Sequence, residues 1–241
     1  MAASAQAPKT LPIFSLEGKT ACVDLDLDAG RTAAEEISAE VSLPEGSIRP
    51  YACNVTNEDQ VEKTVSQVVQ DFGQVDVLVT CAGTCIARPT AETDLALWRK
   101  VLDVNLDGTY LFARSVGKHL LERGAGGSMV FIASVAGTQV PTPQTQASYN
   151  ASKAALKLLA ASLGKEWASN GIRVNCLSPG YMDTKLLADT ATTVPVSDAK
   201  DQWLKQIPMG WLYSQILPRV QALTDQPQVV LRVPMSLAPL W

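Results

Sequence analysis

Short apolar runs alternate along this chain with stretches of helical period, and that alternation limits the possible folds more than any other feature. The β-prone run Lys19 to Leu25 is followed by the helical "DAGRTAAEEISAEV". The run "SIRPYACNV" is followed by "NEDQVEKTVSQVVQDFG", with Gly73 as its C-cap. The continuous apolar "VDVLVTCAG" precedes one long helical stretch, "TDLALWRKVLDVNLDGTYLFARSVGKHLLERG". The runs "GSMVFIAS" and "IRVNCLSPG" flank the helix "SYNASKAALKLLAASLGKEWASNG". Strands and helices alternating at this length make βαβ units and a parallel sheet. Strands without polar alternation fit a sheet covered on both faces.

The expected fold is therefore α/β, a doubly wound parallel sheet of Rossmann type, with residues 1–241 as one domain. There is no internal repeat and no linker. Residues 1–14 read as a loose, Ala-rich tail. Residues 210–241, rich in proline, read as an atypical and irregular tail in which "QVVLRV" could form a strand.

The formal net charge is −4 and no Lys/Arg cluster occurs, which argues against nucleic acid or an anionic membrane as partner. No apolar run reaches membrane-spanning length. The 5 cysteines (Cys22, Cys53, Cys81, Cys85, Cys176) are scattered without a CxxC, as for reduced thiols in a cytoplasmic fold. Cys81 and Cys85 lack the second ligand pair of a zinc site, so no metal is expected. Two glycosylation-type tripeptides, at Asn54 and Asn150, read as chance. His119 reads as a solvated helix residue, and the glycine-rich "GAGGS" as a helix-ending turn, since it precedes a strand.

Tyr149 and Lys153 lie four apart on one helix and share a face. A nearby ammonium favours phenolate and would lower the tyrosine pKa, making the pair a proton donor or acceptor. Ser134 ends the strand upstream, Asn105 lies in the long helix, and Gly83 and Pro179-Gly180 end two further strands. Thr184 follows just beyond. These positions gather at the carboxyl edge of a parallel sheet, where such folds bind ligands.

On "SYNASKAAL", "LDVNLDGTY", "VFIASVAG" and "IRVNCLSPGYMDTKL", in this order, the chain resembles the short-chain dehydrogenases/reductases from about Phe14 to about Gly210. The resemblance implies hydride transfer between a nicotinamide cofactor, NAD or NADP, and a secondary alcohol or ketone. Tyr149 would be the general acid/base, and Lys153 would lower its pKa and hold the nicotinamide ribose. Ser134 would bind the substrate oxygen, and Asn105 would support a proton relay. Pro179, Gly180 and Thr184 would flank the nicotinamide, while Asn54, Val55, Ala82 and Gly83 would line the dinucleotide. Asp24 takes the acidic position that favours NAD. The family also implies a homo-oligomer, here weakened by the altered C-terminus.

Three departures stand out. Thr80-Cys81-Ala82-Gly83 replaces the usual Asn-Asn-Ala-Gly, and Asn54 replaces an Asp. The Ser134 to Tyr149 interval is longer than the commonest one, as in members acting on sugar alcohols and ketoses.

The stretch "LEGKTACVDLDLDAG" begins like the family's first strand and ends like its second. The glycine loop that lets backbone approach the pyrophosphate is missing between them. A βαβ unit needs about 30 residues, twice this stretch. "GKT" at Gly18 is not a Walker A motif, because Ile13 stands where its first glycine belongs. The expectation is one fused strand, Lys19 to Leu25, pairing with both the "YACNV" and "VDVLVT" strands. The helix after it would begin among Asp24, Asp26 and Asp28, which would repel a pyrophosphate. Two readings follow: an NAD(P)(H)-dependent oxidoreductase, or a silent, truncated or mis-spliced relative that binds no dinucleotide.

Overall fold

The computed structural model describes residues 20–41, 47–182, 186, 196–207 and 230–233. The strands are β1 (Thr20–Asp24), β2 (Ile48–Ala52), β3 (Val77–Thr80), β4 (Gly127–Ile132), β5 (Ile172–Leu177) and β6 (Val230–Val233). The helices are α1 (Leu27–Val41), α2 (Glu58–Phe72), α3 (Leu95–Leu102), α4 (Gly108–Arg123), α5 (Ala147–Glu166) and α6 (Val196–Gln206). The strands form one 6-stranded sheet in the order β2-β1-β6-β3-β4-β5. Every pairing is parallel, so all strands present their carboxyl ends to one edge.

The first strand corrects the expected pairing. β1 pairs with β2, Thr20 opposite Ile48, but it does not pair with β3. β6 lies between them, with Val230 opposite Thr20 on one side and opposite Val77 on the other. Direct pairing of β1 with β3 would have closed the sheet one strand short. Instead the tail, expected to be irregular, supplies the central strand from the "QVVLRV" run. The physical reason is satisfaction of backbone groups. Two parallel strands facing a gap would each leave a row of N–H and C=O groups unpaired in the interior. A short β-branched run is well suited to fill it.

Local chemistry accounts for the helices that frame the sheet. Asn57 caps α2, accepting from Gln60 N at 2.9 Å. Val61, Thr64, Val65, Val68 and Phe72 line its buried face, the spacing of a helix lying on a sheet. Gly73 ends it in the left-handed conformation at φ 90°. The long helical stretch forms as expected with one irregularity: Asp103–Asp107 is a π-helical turn between α3 and α4. The core packs Phe112, Leu120, Leu78, Phe131, Met129 and Ile172 between helices and strands.

His119 is only partly solvated. It is half-buried on α4, and its Nε2 accepts from Val75 N at 3.2 Å. Burial and, next, Arg123 hold its pKa below the usual value. The four described cysteines outside β1, namely Cys53, Cys81, Cys85 and Cys176, are in no disulfide. Among the described residues, no helix is long and apolar enough to cross a membrane. Residues 1–14 lie outside the described residues, as does most of 210–241.

Candidate active site

The carboxyl ends of β3, β4 and β5 carry the residues singled out by sequence, and α5 lies across them. Ser134 follows β4 and caps the short turn Val135–Gly137, its Oγ accepting from Ala136 N at 3.1 Å. That turn must approach α5 closely. A Cβ on Gly137 would stand 2.7 Å from the backbone carbonyl atoms of Lys153, so only glycine fits. The approach sets Ser134 beside Tyr149 and Lys153, and all three line one cleft with Pro179 and Gly180.

Lys153 is 3% exposed. Its Nζ donates to Ile132 O at 2.7 Å and stands 5.6 Å from the Tyr149 ring centroid. Burial pulls its pKa down to about 8, partly offset by Cys81, Cys176 and Cys85. Burial, followed by Cys85, pushes Tyr149 up to about 12, and the Ser134 hydroxyl beside it pulls the other way. The expected lowering of Tyr149 by Lys153 is therefore reversed in sign. The Lys153 ammonium is directed at the Ile132 carbonyl, and removal of the phenol from water sets the direction of the shift.

Asn105 does not reach the cleft. It is fully buried in the π-helical turn, a kind of irregularity often found at functional sites. Its Oδ1 accepts from Thr84 N at 2.7 Å. Its Nδ2 donates to Thr84 O at 3.0 Å and to Ser152 Oγ at 2.9 Å, while its carbonyl accepts from Thr109 Oγ1. Asn105 thus ties the loop after β3 to α5 one residue before Lys153. Gly83 fills the space between: a Cβ there would lie 3.4 Å from Asn105 Oδ1 and 3.5 Å from Lys153 Nζ.

The remaining expected cofactor residues are spread along the same edge. Asp24 ends β1, buried, its Oδ1 accepting from Asp26 N at 2.9 Å. Asn54 folds onto its own turn, Oδ1 accepting from Thr56 N and Oγ1. Val55 packs against the first residue of α4, where a Cβ on Gly108 would stand 2.8 Å from it. Ala82 is half-buried against the core, and Pro179 O accepts from Val135 N at 2.9 Å. Thr184 lies outside the described residues.

The nicotinamide end of the family's cofactor fits this edge. Tyr149 and Lys153 face the cleft, and among the described residues nothing lies within 4 Å of a Cβ placed on Gly180. The pyrophosphate end does not fit. The α1 N-terminus is occupied by its own chain, since Asp26 Oδ1 accepts from Asp28 N at 2.9 Å and Ala29 N at 3.4 Å. The expected place of that helix also needs correcting. α1 follows β1, not the strand β6 that lies between β1 and β3.

Sequence reasoning did not single out Gln144 and Gln146, which also line the cleft and are buried. Nor did it find Trp203 of α6, whose Nε1 donates to Gln144 Oε1 at 2.9 Å and whose ring stacks on Tyr181 at 5.3 Å. The one signal was the lengthened "TPQTQASYNASK" interval.

Residues 15–216 match the family described as enoyl-(acyl carrier protein) reductase. The chain is 39% identical over 165 residues to sorbose reductase SOU1 of Candida albicans, across 67% of this chain and 56% of that protein. It therefore spans little more than half the length of that relative. It is 35% identical over 230 residues to the NADP-dependent mannitol dehydrogenase of Alternaria alternata, across 85% of this chain and 84% of that one. The crystal structure of gox2181 superposes with a TM-score of 0.79 at 28% identity, covering 92% of this chain and 96% of that one. With these likenesses, and with its sheet order and strand-end cleft, the chain belongs to the short-chain dehydrogenase/reductase family.

Proposed function

We propose that this chain is an oxidoreductase for a polyol or ketose, with the proton-handling part of its site built and its grip on the cofactor's pyrophosphate weakened. One observation carries the reading: Ser134, Tyr149 and Lys153 line a single cleft beside Pro179-Gly180. When bound, the nicotinamide takes or supplies the hydride. The chain's own residues handle the proton. In reduction Tyr149 Oη gives its proton to the carbonyl oxygen and is left as phenolate; in oxidation Tyr149 must first lose its own proton to solvent, and the phenolate then takes that of the substrate hydroxyl. Ser134 donates a hydrogen bond to that same oxygen. A phenol held near 12 gives up its proton only as negative charge develops on the substrate oxygen, which confines the transfer to the reacting complex. Lys153 fixes the tyrosine's position from Ile132 and holds the nicotinamide ribose, and Asn105 secures α5 beneath both.

Asp24 favours NAD, whereas the mannitol relative is by name NADP-dependent. A second reading, a silent family member, is favoured by the self-capped α1 N-terminus and the missing glycine loop. Both are decided by calorimetric titration with NADH and NADPH, alongside oxidation of D-mannitol and reduction of D-fructose followed by nicotinamide absorbance. We expect cofactor binding orders of magnitude weaker than in a family member with the loop, little turnover, and loss of that turnover in Tyr149→Phe. Micromolar cofactor binding would overturn the weakened grip. Turnover unchanged in Tyr149→Phe would overturn the assignment of the proton.

A further inference from the structure

We infer that Gln144 and Gln146 form an amide pair that reads the hydroxyl groups of a neutral polyol or ketose beyond its reacting carbon. This deepens the oxidoreductase reading above and rests on it for the position of the reacting carbon. The two residues stand two apart in the connection between Ser134 and α5. Both are buried, 8% and 6% exposed, and both line the same cleft as Tyr149 and Ser134.

Each amide is held from behind. Gln144 Oε1 accepts from Trp203 Nε1, with the Tyr181 hydroxyl also beside it. Gln146 Oε1 lies 3.4 Å from the Cys85 Sγ donor, and its Nε2 donates to Asn150 Oδ1 at 3.0 Å. A primary amide carries two N–H donors and two acceptor lone pairs, so these contacts fix both side chains without exhausting either. A buried group with spare donor and acceptor capacity suits a carbinol hydroxyl, which also both donates and accepts.

The charge of the cleft narrows the class. Among the described lining residues Lys153 alone carries a charge, and its Nζ is engaged with Ile132 O. Among the described residues, a sugar acid or sugar phosphate would find no further cation to replace its lost hydration. A neutral polyol would find matched partners, and an alcohol without further hydroxyls would leave the amides unpaired, a difference such sites convert into selectivity.

The test is ligand-observed saturation-transfer NMR on the full chain without cofactor, using D-mannitol, D-gluconate and cyclohexanol, with Trp203 fluorescence as a second readout. We expect D-mannitol to bind, and D-gluconate to bind at least tenfold more weakly. The variants Gln144→Leu and Gln146→Leu should weaken D-mannitol tenfold or more while changing cyclohexanol less than twofold, which also reports a folded cleft. Gln146→Glu, which keeps the shape and removes the donors, should act in the same direction. No D-mannitol binding, gluconate binding as tight as mannitol, or amide variants within twofold of the parent for mannitol would each overturn the assignment. Amide-dependent polyol binding without turnover on either cofactor would support the amide pair and sink the hydride-transfer reading. Turnover of D-mannitol unaffected by the amide variants would do the reverse.

Discussion

The two halves of the sheet's carboxyl edge are built differently. At β3, β4 and β5 three of the polar side chains are held by partners from distant elements: Lys153 on Ile132 O, Asn105 on Thr84 and Ser152, Gln144 on Trp203. At β1 and α1 the polar groups are satisfied within a few residues, Asp24 by Asp26 and Asp26 by Asp28 and Ala29. A site that depends on distant partners resists local rewriting, because each contact is anchored by elements elsewhere in the chain. A helix terminus that has no ligand can instead be closed by the nearest side chain. The half at β3, β4 and β5 is tied across the chain, and the half at β1 and α1 closes on itself.

Removing β6 would break this comparison most severely. A chain ending at residue 229 should lose cooperative thermal unfolding altogether, since β1 and β3 would each face an open slot. Retention of a sharp melting transition by circular dichroism would show that the two halves fold independently. Next in size is Asn105→Ala, which strands the Thr84 backbone groups and Ser152. At about 1–3 kcal/mol for each buried group left unpaired, the loss in denaturant midpoint should be large. A change under about 1 kcal/mol, small against that per-group cost, would mean that the loop after β3 is not anchored there.

Lys153 sharpens the contrast through pH. Its folded pKa of about 8 lies below the unfolded value, so the folded state prefers the neutral amine. The unfolded lysine binds more protons between pH 8 and about 10, so the contribution of Lys153 should rise across that window, by up to about 1.4 kcal/mol per pH unit, and be lost as pH falls through 8. It is read as the difference between the parent and Lys153→Met, because burial raises Cys53, Cys85 and Cys176 and these pull the other way above about pH 9 in both chains. Parallel profiles for the two chains would show that the ammonium is not buried. The smallest effect belongs to Asp26→Ala. Loss of the cap should cost about 1 kcal/mol of stability, yet remove a charge from the α1 terminus and tighten NADH binding severalfold. Weaker binding in a calorimetric titration would show that Asp26 holds the edge in shape for the cofactor.

Much of this molecule was legible from sequence because periodic patterns are local. The apolar runs, the Gly73 cap of α2, and the shared face of Tyr149 and Lys153 follow from spacing alone. What escaped the sequence depends on contacts across the chain. The run at Val230–Val233 could be read as a strand, but no spacing reveals that it enters the middle of the sheet. The spacing of Tyr149 and Lys153 gives their proximity but not their burial, and burial decides the sign of the tyrosine's shift. Gln144 and Gln146 sit in an aperiodic connection, where amides carry no distinguishing pattern. His119 was misread for the same reason, its partner Val75 being set by packing of α4 on the start of β3.

The central place of β6 also bears on how this chain comes to be folded. Thr20 and Val230 pair although roughly 200 residues separate them along the chain, a contact distance that slows folding. While a ribosome is still translating the intervening sequence, β1 and β3 can each be formed with one edge bare. Such edges recruit strands from other molecules. A nascent chain of this design therefore depends on chaperone protection until its last strand arrives, and its yield in a cell should follow chaperone supply more closely than that of a relative whose central strand is made first.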